Sequence, residues 1–117
     1  MGIPRVTLSM RSHRLAGVGE HMCHVDTREA LTLQEGSYRP VQYIPRKDVD
    51  MSLLKRTDNA TYCPYKGDCA YYSIPVGGER SVNAVWAYEA PYEAVAAIKD
   101  HVAFYPDRVD AIERKEA

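Results

Sequence analysis

Short runs in which hydrophobic and polar residues alternate fill most of the chain, and turn-forming residues separate these runs. Alternation with a period of two is typical of a β-strand with one buried face. We therefore predict strands over residues 21–25, 38–44, 51–56, 68–74, 82–88, 102–105 and 108–112. Residues 29–34 are too few for the period to separate a strand from a helical turn. Turn chemistry is clearest at Asp58-Asn59 and over residues 75–78.

Two segments do not follow the strand pattern. Residues 1–14 combine scattered charges with one short alternating run, so we expect a weakly ordered start. Pro91 suits the first position of a helix, and an alanine-rich run follows it to Ile98, which predicts one short helix of about two turns. Several short strands with one helix predict a mainly β, mainly antiparallel fold, and we expect a single domain over residues 1–117.

Composition and charge disfavour several classes of protein. With 45% hydrophobic and 26% charged residues, the 117-residue chain has the balance of an ordinary folded domain and can bury one core. Its net charge of -1 lacks the basic excess that phosphate contacts need, so we expect no nucleic-acid partner. The sequence has no apolar run of membrane-spanning length and no signal-peptide pattern. We therefore expect a cytoplasmic protein with no membrane partner.

Residues 61–72 hold the densest set of side chains suited to chemistry: two of the three cysteines, four of the nine tyrosines and a Lys-Gly turn. A thiol becomes a nucleophile as thiolate, which a nearby ammonium favours, and the short separation lets Lys66 fold back towards Cys63. Cys63 and Lys66 are therefore the candidate catalytic pair. The alternative, favoured because no partner base is identifiable, is that Cys63 is a buried small residue and Lys66 a solvated turn residue.

Aromatic residues on neighbouring predicted strands form a second candidate site. The set comprises Tyr43, Tyr62, Tyr65, Tyr71, Trp86 and Tyr88. Rings with polar tips suit a cleft that grips a flat or cationic ligand, but tyrosine and tryptophan are also good strand formers whose role is ordinary packing. Both alternatives stay open. The candidate ligand-binding residues are Tyr43, Arg46, Trp86 and Tyr88, with Arg46 either framing the pocket or pairing with Asp48 at the surface.

Several short motifs together carry a family resemblance: Val25-Asp26-Thr27, Glu35, residues 41–49, Leu53-Leu54, residues 61–68, Tyr71-Tyr72, Trp86-Ala87-Tyr88 and Ala103-Phe104-Tyr105. Over about residues 20–112 the chain resembles the bacterial domain-of-unknown-function family 427, sometimes labelled nucleotidyltransferase-like. The Thr-x-Cys-Pro-x-Lys-Gly core at residues 61–67 is fairly specific. Cys69 departs from the family pattern, which has a small residue there, and this argues against a paired-cysteine role as a family trait.

The resemblance implies a β-tent, in which two antiparallel sheets lean together, similar to methionine-R-sulfoxide reductases and to the thalidomide-binding domain of cereblon. It implies no activity. β-tent relatives often hold zinc with two Cys-x-x-Cys pairs, whereas Cys63 and Cys69 are spaced more widely and Cys23 is the one remaining thiol. We therefore expect no metal and no cofactor. The Lys66 loop lacks the second glycine and the following Ser or Thr of a phosphate-binding loop, so it does not support nucleotide transfer.

The leading hypothesis is a small cytoplasmic module that binds a small molecule or a protein. The residues expected to line its site are Tyr43, Arg46, Cys63, Lys66, Trp86 and Tyr88. The alternative is a thiol-dependent enzyme with Cys63 as nucleophile or redox residue. Sulfoxide reduction is disfavoured, because no cysteine follows Cys69 and the reductases carry a catalytic cysteine near their C-terminal strands. A third alternative is a homodimer with an exposed sheet as its interface. Glu35 is expected to serve a turn or cap, with lining of the cleft as the alternative.

Overall fold

Nine β-strands in two antiparallel sheets form the fold over residues 4–11 and 22–116, the parts of the chain that this computed structural model describes. In chain order the strands are β1 (Arg5–Arg11), β2 (Met22–Thr27), β3 (Leu31–Leu33), β4 (Val41–Pro45), β5 (Lys55–Cys63), β6 (Gly67–Ser73), β7 (Val85–Ala87), β8 (His101–Phe104) and β9 (Ala111–Lys115). The prediction of a mainly β, antiparallel fold is confirmed.

The three-stranded sheet has the order β2-β1-β9, so the strand nearest the N-terminus lies at its centre. Leu8 pairs with Val25 on one side and with Ile112 on the other. Every second residue of β1 is buried: Val6, Leu8 and Met10. The expectation of a weakly ordered start is therefore wrong for residues 5–11. The alternating run noted in this segment is the strand itself, and its two partners, β2 and β9, fix it at the centre of the sheet.

The six-stranded sheet has the order β3-β4-β8-β7-β6-β5, and one of its faces packs on the three-stranded sheet. This core face contributes Ile44, Val85, Ala87, Val102 and Phe104 to a cluster that includes the buried residues of β1. Removal of these apolar side chains from water is the main stabilising contribution to such a fold. The hydrophobic core therefore lies between the sheets, and a site on the large sheet belongs on its opposite face.

That opposite face carries most of the candidate aromatic residues. Tyr71 pairs with Trp86, and Trp86 pairs with Ala103, so these three side chains share one face. We call this surface the aromatic face and define it by Tyr43, Cys69, Tyr71, Trp86 and Tyr88. A second hydrophobic cluster on this face joins Tyr43, Trp86 and Tyr88 to the buried Ile98.

Short 3-10 turns connect several strands: Arg46–Asp48, Met51–Leu53, Pro75–Ser81, Glu93–Ile98 and Pro106–Arg108. The helix predicted from Pro91 is present as the turn Glu93–Ile98, in 3-10 rather than α geometry, and Val95 interrupts it with φ -124°. The turn predicted over residues 75–78 is also helical. Its Gly77 is required by packing, because a Cβ there would overlap the side chains of Ser81 and Met10.

A local cap shifts the start of β5 from its predicted position. The strand predicted over residues 51–56 begins at Lys55, because a 3-10 turn occupies the first part of that segment. The Asp50 carboxylate fixes this turn by accepting a hydrogen bond of 3.0 Å from the backbone N–H of Ser52. The hydrogen bond to the Asp50 side chain thus stabilises a 3-10 turn where the alternating pattern predicts a strand.

A β-bulge overturns the turn predicted at Asp58-Asn59. Both residues lie inside β5, whose register with β6 shifts between Arg56 and Ala60. Between these pairs β5 has two more residues than β6, and such a bulge bends a strand without ending it, so residues that favour turns are accommodated there. The prediction of a turn at this position is wrong.

Candidate functional site

The loop between β5 and β6 is held in one conformation by backbone contacts. The N–H of Lys66 donates to the carbonyl of Cys63 at 3.2 Å, and the carbonyl of Lys66 accepts from Tyr92 at 3.0 Å. Gly67 has φ 111°, and a Cβ at this position would lie 3.3 Å from the carbonyl oxygen of Ala90. Glycine meets both requirements, the unusual φ and the close approach. The loop therefore places the Lys66 side chain rather than leaving it to move in solvent.

Lys66 is buried, with 7% of the residue exposed. Its ammonium forms an ion pair with the Glu35 carboxylate and lies 5.8 Å from the centre of the Tyr88 ring. Burial acts to lower the pKa of Lys66, but the hydrogen bond and the charge of Glu35 outweigh it, and the pKa is raised above its ordinary value of 10.5. The ammonium is thus charged at neutral pH, and the alternative that Lys66 is a solvated turn residue is wrong.

The two described cysteine side chains differ in exposure. Cys63 is half-buried, and its Sγ accepts a contact of 3.9 Å from Lys66 Nζ, the approach that the spacing of the two residues predicts. Cys69 is only 3% exposed, and burial raises its pKa above the ordinary value of 9.0. Both are free thiols. Because Cys63 pairs with Gly67 and Cys69 with Thr61, the cysteines are diagonal neighbours, about 7–8 Å apart and beyond the reach of a relaxed disulfide.

Tyr43 and Trp86 contact each other on the aromatic face. Trp86 Nε1 donates to Tyr43 Oη at 3.4 Å, and the rings meet edge to face with centres 6.4 Å apart. On its other side the indole stacks at a tilt on Tyr105, at 4.4 Å between ring centres. Tyr43 is buried and Trp86 is partly exposed. Sheet packing accounts for these contacts, and the partly exposed indole remains within reach of a bound molecule.

The tyrosine hydroxyls of this face stay protonated at physiological pH. Burial raises the pKa of Tyr71 to about 12, and its hydroxyl lies 2.9 Å from Thr61 Oγ1. Burial also raises the pKa of Tyr88, and the nearby Cys69 acts in the same direction. A neutral phenol can donate a hydrogen bond to an anion or a carbonyl. The face therefore offers donors and one buried cation.

Arg46 does not pair with Asp48, which instead accepts a hydrogen bond of 2.6 Å from Thr27. Arg46 Nη2 donates to Tyr72 Oη at 3.0 Å and lies 3.2 Å from Glu89 Oε2. The surface pairing predicted for Arg46 is therefore replaced by a partner beyond β7. The sequence analysis did not identify Glu89 as a partner of Arg46, because no local motif marks this residue after the end of β7.

A cavity of about 150 Å³ connects two of the predicted ligand-binding residues, Arg46 and Tyr88. Glu89, Asp100 and His101 also line it. Tyr43 and Trp86 do not line this cavity, and they contact Tyr88 through the second hydrophobic cluster instead. Tyr88 thus shares the cavity with Arg46 and the hydrophobic cluster with Tyr43 and Trp86, and the Lys66 ammonium lies over its ring.

Most of the chain matches one known protein family. Residues 9–115 match a family described as a domain of unknown function, DUF427. The chain belongs to the DUF427 family. The resemblance inferred from the motifs is confirmed. No curated protein sequence matches the chain. The likeness of this DUF427 domain to sulfoxide reductases and cereblon stays a prediction.

The described residues hold neither a cluster of metal ligands nor a helix able to span a membrane. Within residues 4–11 and 22–116, no three His, Cys, Asp or Glu side chains come together as a set of metal ligands. The side chain of Cys23, the third thiol of the chain, lies outside what the structure describes. Among the described residues of this DUF427 domain, no helix has the length and apolar character needed to cross a bilayer.

Proposed function

We propose that this DUF427 domain is a cytoplasmic small-molecule-binding module whose site is the aromatic face around the Cys63–Lys66 loop. The observation that carries the proposal is the buried ammonium of Lys66, held against the Tyr88 ring by a carboxylate from a surface loop. Burying a cation is costly unless it is paired, and such groups cluster at functional sites.

The partner of Lys66 is placed to give way to a ligand. Residues 34–40, between β3 and β4, are exposed throughout, and the Glu35 side chain is 45% exposed. The loop is closed by its own hydrogen bonds, since Gln34 Nε2 donates to the carbonyls of Gly36 and Tyr38. Glu35 can therefore rotate into solvent without disturbing the hydrophobic core, which leaves the ammonium open to an acidic group of a ligand.

The surroundings of Lys66 define the chemistry of the ligand. Its ammonium matches a carboxylate or another single anionic group. Tyr43, Trp86 and Tyr88 provide ring surface for a flat apolar body, and the neutral Tyr88 hydroxyl is a hydrogen-bond donor. Arg46 lines the cavity on the other side of Tyr88. A small aromatic carboxylic acid satisfies all of these groups together.

Fluorescence offers a direct test because Trp86 is the single tryptophan of the chain. A panel of aromatic carboxylic acids, beginning with benzoate, indole-3-acetate and 4-hydroxybenzoate, is titrated against its emission. We expect a saturable change in the native protein, its loss in Lys66→Met, and an affinity about tenfold higher in Glu35→Ala, which lacks the internal competitor.

The exposed ion pair of Lys47 with Glu29 provides the matched control, and Lys47→Met should leave the titration unchanged. If Glu35→Ala proves unstable, Glu35→Gln replaces it. Absence of a saturable response across the panel in both the native protein and the Glu35 variant would refute the proposal.

A second candidate function is thiol chemistry at Cys63, and the 3.9 Å contact with Lys66 Nζ favours it. In that case Cys63 is the nucleophile and Lys66 supports its thiolate. Incubation with 4-nitrophenyl acetate should then release one equivalent of nitrophenol in a burst and acetylate Cys63, as seen by peptide mass. The burst should vanish in Cys63→Ser and persist in Cys69→Ser. A burst that Cys63→Ser retains would rule out this function.

A further inference from the structure

A receptor for a carboxylate lies beyond β7 and is occupied by a side chain of the protein itself. The carboxylate of Glu89 lies 2.7 Å from Arg56 Nη1 and 3.2 Å from Arg46 Nη2. The hydroxyl of Tyr72 donates to the same carboxylate at 3.3 Å. Two guanidinium groups and a phenol on two carboxylate oxygens are the arrangement with which proteins bind a carboxylate ligand.

Two donors of this receptor, Tyr72 and Arg46, are buried or partly buried beside the large sheet. Tyr72 is 7% exposed, and the two guanidinium carbons lie 5.5 Å and 5.8 Å from the centre of its ring. Arg56 pairs with Tyr72 across β5 and β6, and Arg46 directly follows β4. Glu89 is 40% exposed and follows β7, outside the strand ladder. Tyr72 and Arg46 are therefore held in place, while Arg56 and Glu89 carry the more exposed side chains of the receptor.

Glu89 also separates two cavities. The cavity of about 150 Å³ on one side contains Arg46, and a cavity of about 370 Å³ on the other contains Arg56. Glu89 lines both. Rotation of its side chain into solvent would join the two spaces at the receptor. The two cavities together are large enough for a molecule of amino-acid size, and the two arginines of the receptor line them.

The other charged groups in the two cavities select the ligand further. Asp58 and Asp68 line the larger cavity, and Asp100 lines the smaller one. Three carboxylates in the lining of these two cavities disfavour a dianion such as phosphate. They favour a ligand that carries a positive group beside its carboxylate. Ala60 and Ala70 supply apolar wall for a side chain in the larger cavity.

We propose that this receptor binds a small zwitterion of the α-amino acid class. The carboxylate of the ligand replaces that of Glu89 on Arg46, Arg56 and Tyr72, and its ammonium lies towards the aspartates of the larger cavity. Arg46 lies between this receptor and the Lys66 site, but the receptor does not use Lys66 or Glu35, so the two proposals are tested by different variants.

Three probes of matched shape test the proposal by NMR titration of backbone amides: L-leucine, 4-methylpentanoate, which lacks the ammonium, and 3-methylbutylamine, which lacks the carboxylate. In the native protein we expect saturable shifts with L-leucine at the amides of residues 56, 72 and 89. In Glu89→Ala, which removes the internal competitor, the Kd for L-leucine should fall about tenfold or more. The deaminated acid should bind at least about tenfold more weakly than L-leucine, and the amine should cause no shift at these amides.

Control variants separate this receptor from general charge effects. Asp110→Ala removes a carboxylate from another arginine, Arg80, and should leave the affinity for L-leucine unchanged. Lys66→Met should also leave it unchanged, while it abolishes binding at the aromatic face. Arg56→Gln should abolish L-leucine binding, and because Arg56 is more than half exposed, this variant is expected to fold even where Glu89→Ala does not.

Two results would overturn the proposal. The first is the absence of saturable shifts with L-leucine in both the native protein and Glu89→Ala. If Glu89→Ala does not fold, Glu89→Gln takes its place in this comparison. The second is equal affinity for L-leucine and 4-methylpentanoate. That result would mean that the aspartates do not contact the ammonium of the ligand and that the site binds any carboxylate.

Discussion

The ammonium of Lys66 and the carboxylate of Glu35 meet over the aromatic face, although they belong to loops near opposite edges of the six-stranded sheet. Glu35 lies between β3 and β4, and Lys66 lies between β5 and β6, with β8 and β7 in between. The ion pair therefore spans the inner strands and the ring of Tyr88. Any molecule that binds to this face has to pass or replace it.

The two members of this ion pair should contribute unequally to stability. Glu35→Ala leaves a buried ammonium without its carboxylate, which we expect to lower the free energy of unfolding by about 1–3 kcal/mol. Lys66→Met leaves only a half-exposed carboxylate that water can solvate, so its effect should be smaller. Urea denaturation of both variants and of the double variant measures the difference and the coupling. A larger loss in Lys66→Met than in Glu35→Ala would contradict the burial of the ammonium.

The pair of Glu89 with the arginines should make stability depend on acid pH. Burial acts to raise the pKa of Glu89, but Arg56, Arg46 and Tyr72 outweigh it, and the pKa is lowered from its ordinary value of 4.5. The folded protein therefore binds this proton less tightly than the unfolded chain. The contribution is complete above pH 4.5 and is lost as the pH falls from there through the lower pKa of the folded state.

Chemical denaturation of the native protein and of Glu89→Gln from pH 7 down to pH 3 checks this dependence. The stability gap between the two proteins should be largest near neutral pH and should narrow as the solution becomes more acidic. A gap that stays constant over this range would show that Glu89 keeps its ordinary pKa in the folded state.

The two described thiols should react at different rates. Cys63 is half-buried and close to an ammonium, whereas Cys69 is 3% exposed with a raised pKa. In the native protein at pH 7.5, iodoacetamide should therefore modify Cys63 well before Cys69, as followed by peptide mass. Modification of Cys69 first would show that the hairpin opens in solution.

Truncation of the buried Leu8 side chain in β1 tests whether this strand belongs to the hydrophobic core. Leu8 has no exposed surface and pairs on both sides, so Leu8→Ala should lower the free energy of unfolding by about 2–5 kcal/mol. Thr7→Ala is the control, because Thr7 is half-buried on the other face of the same strand and should cost far less. Equal, small effects of the two changes would mean that residues 5–11 do not fold with the rest.

Local pattern was sufficient for some strands and insufficient for others. The alternating runs over residues 68–74 and 102–105 agree closely with β6 and β8, because burial on one face imposes the period of two directly on the sequence. β1 was missed for residues 5–11, and the turn-forming pair inside β5 was misread. The alternation of β1 was present in the sequence but was passed over beside the scattered charges, whereas the register shift inside β5 depends on its pairing with β6.

The candidate site was predicted only in part for the same reason. The approach of Lys66 to Cys63 follows from a three-residue spacing and is visible in the sequence. The carboxylates that pair with Lys66 and Arg46 are not, because Glu35 and Glu89 each lie more than 30 positions away along the chain. Burial of a lysine beside a glycine likewise has no local signal, since it depends on which loop closes over which face.

By itself, the sequence determined the class of fold, the family and the chemistry available at residues 61–67, because each of these is set by local periodicity or by a contiguous motif. The tertiary structure alone decided which face of the large sheet is buried, which carboxylate meets each cation, and where the cavities lie. Those outcomes depend on the order β3-β4-β8-β7-β6-β5, in which strands distant along the chain become neighbours. The ion pairs of Lys66 and Arg46 join residues from different parts of this strand order, which the spacing of residues along the sequence does not specify.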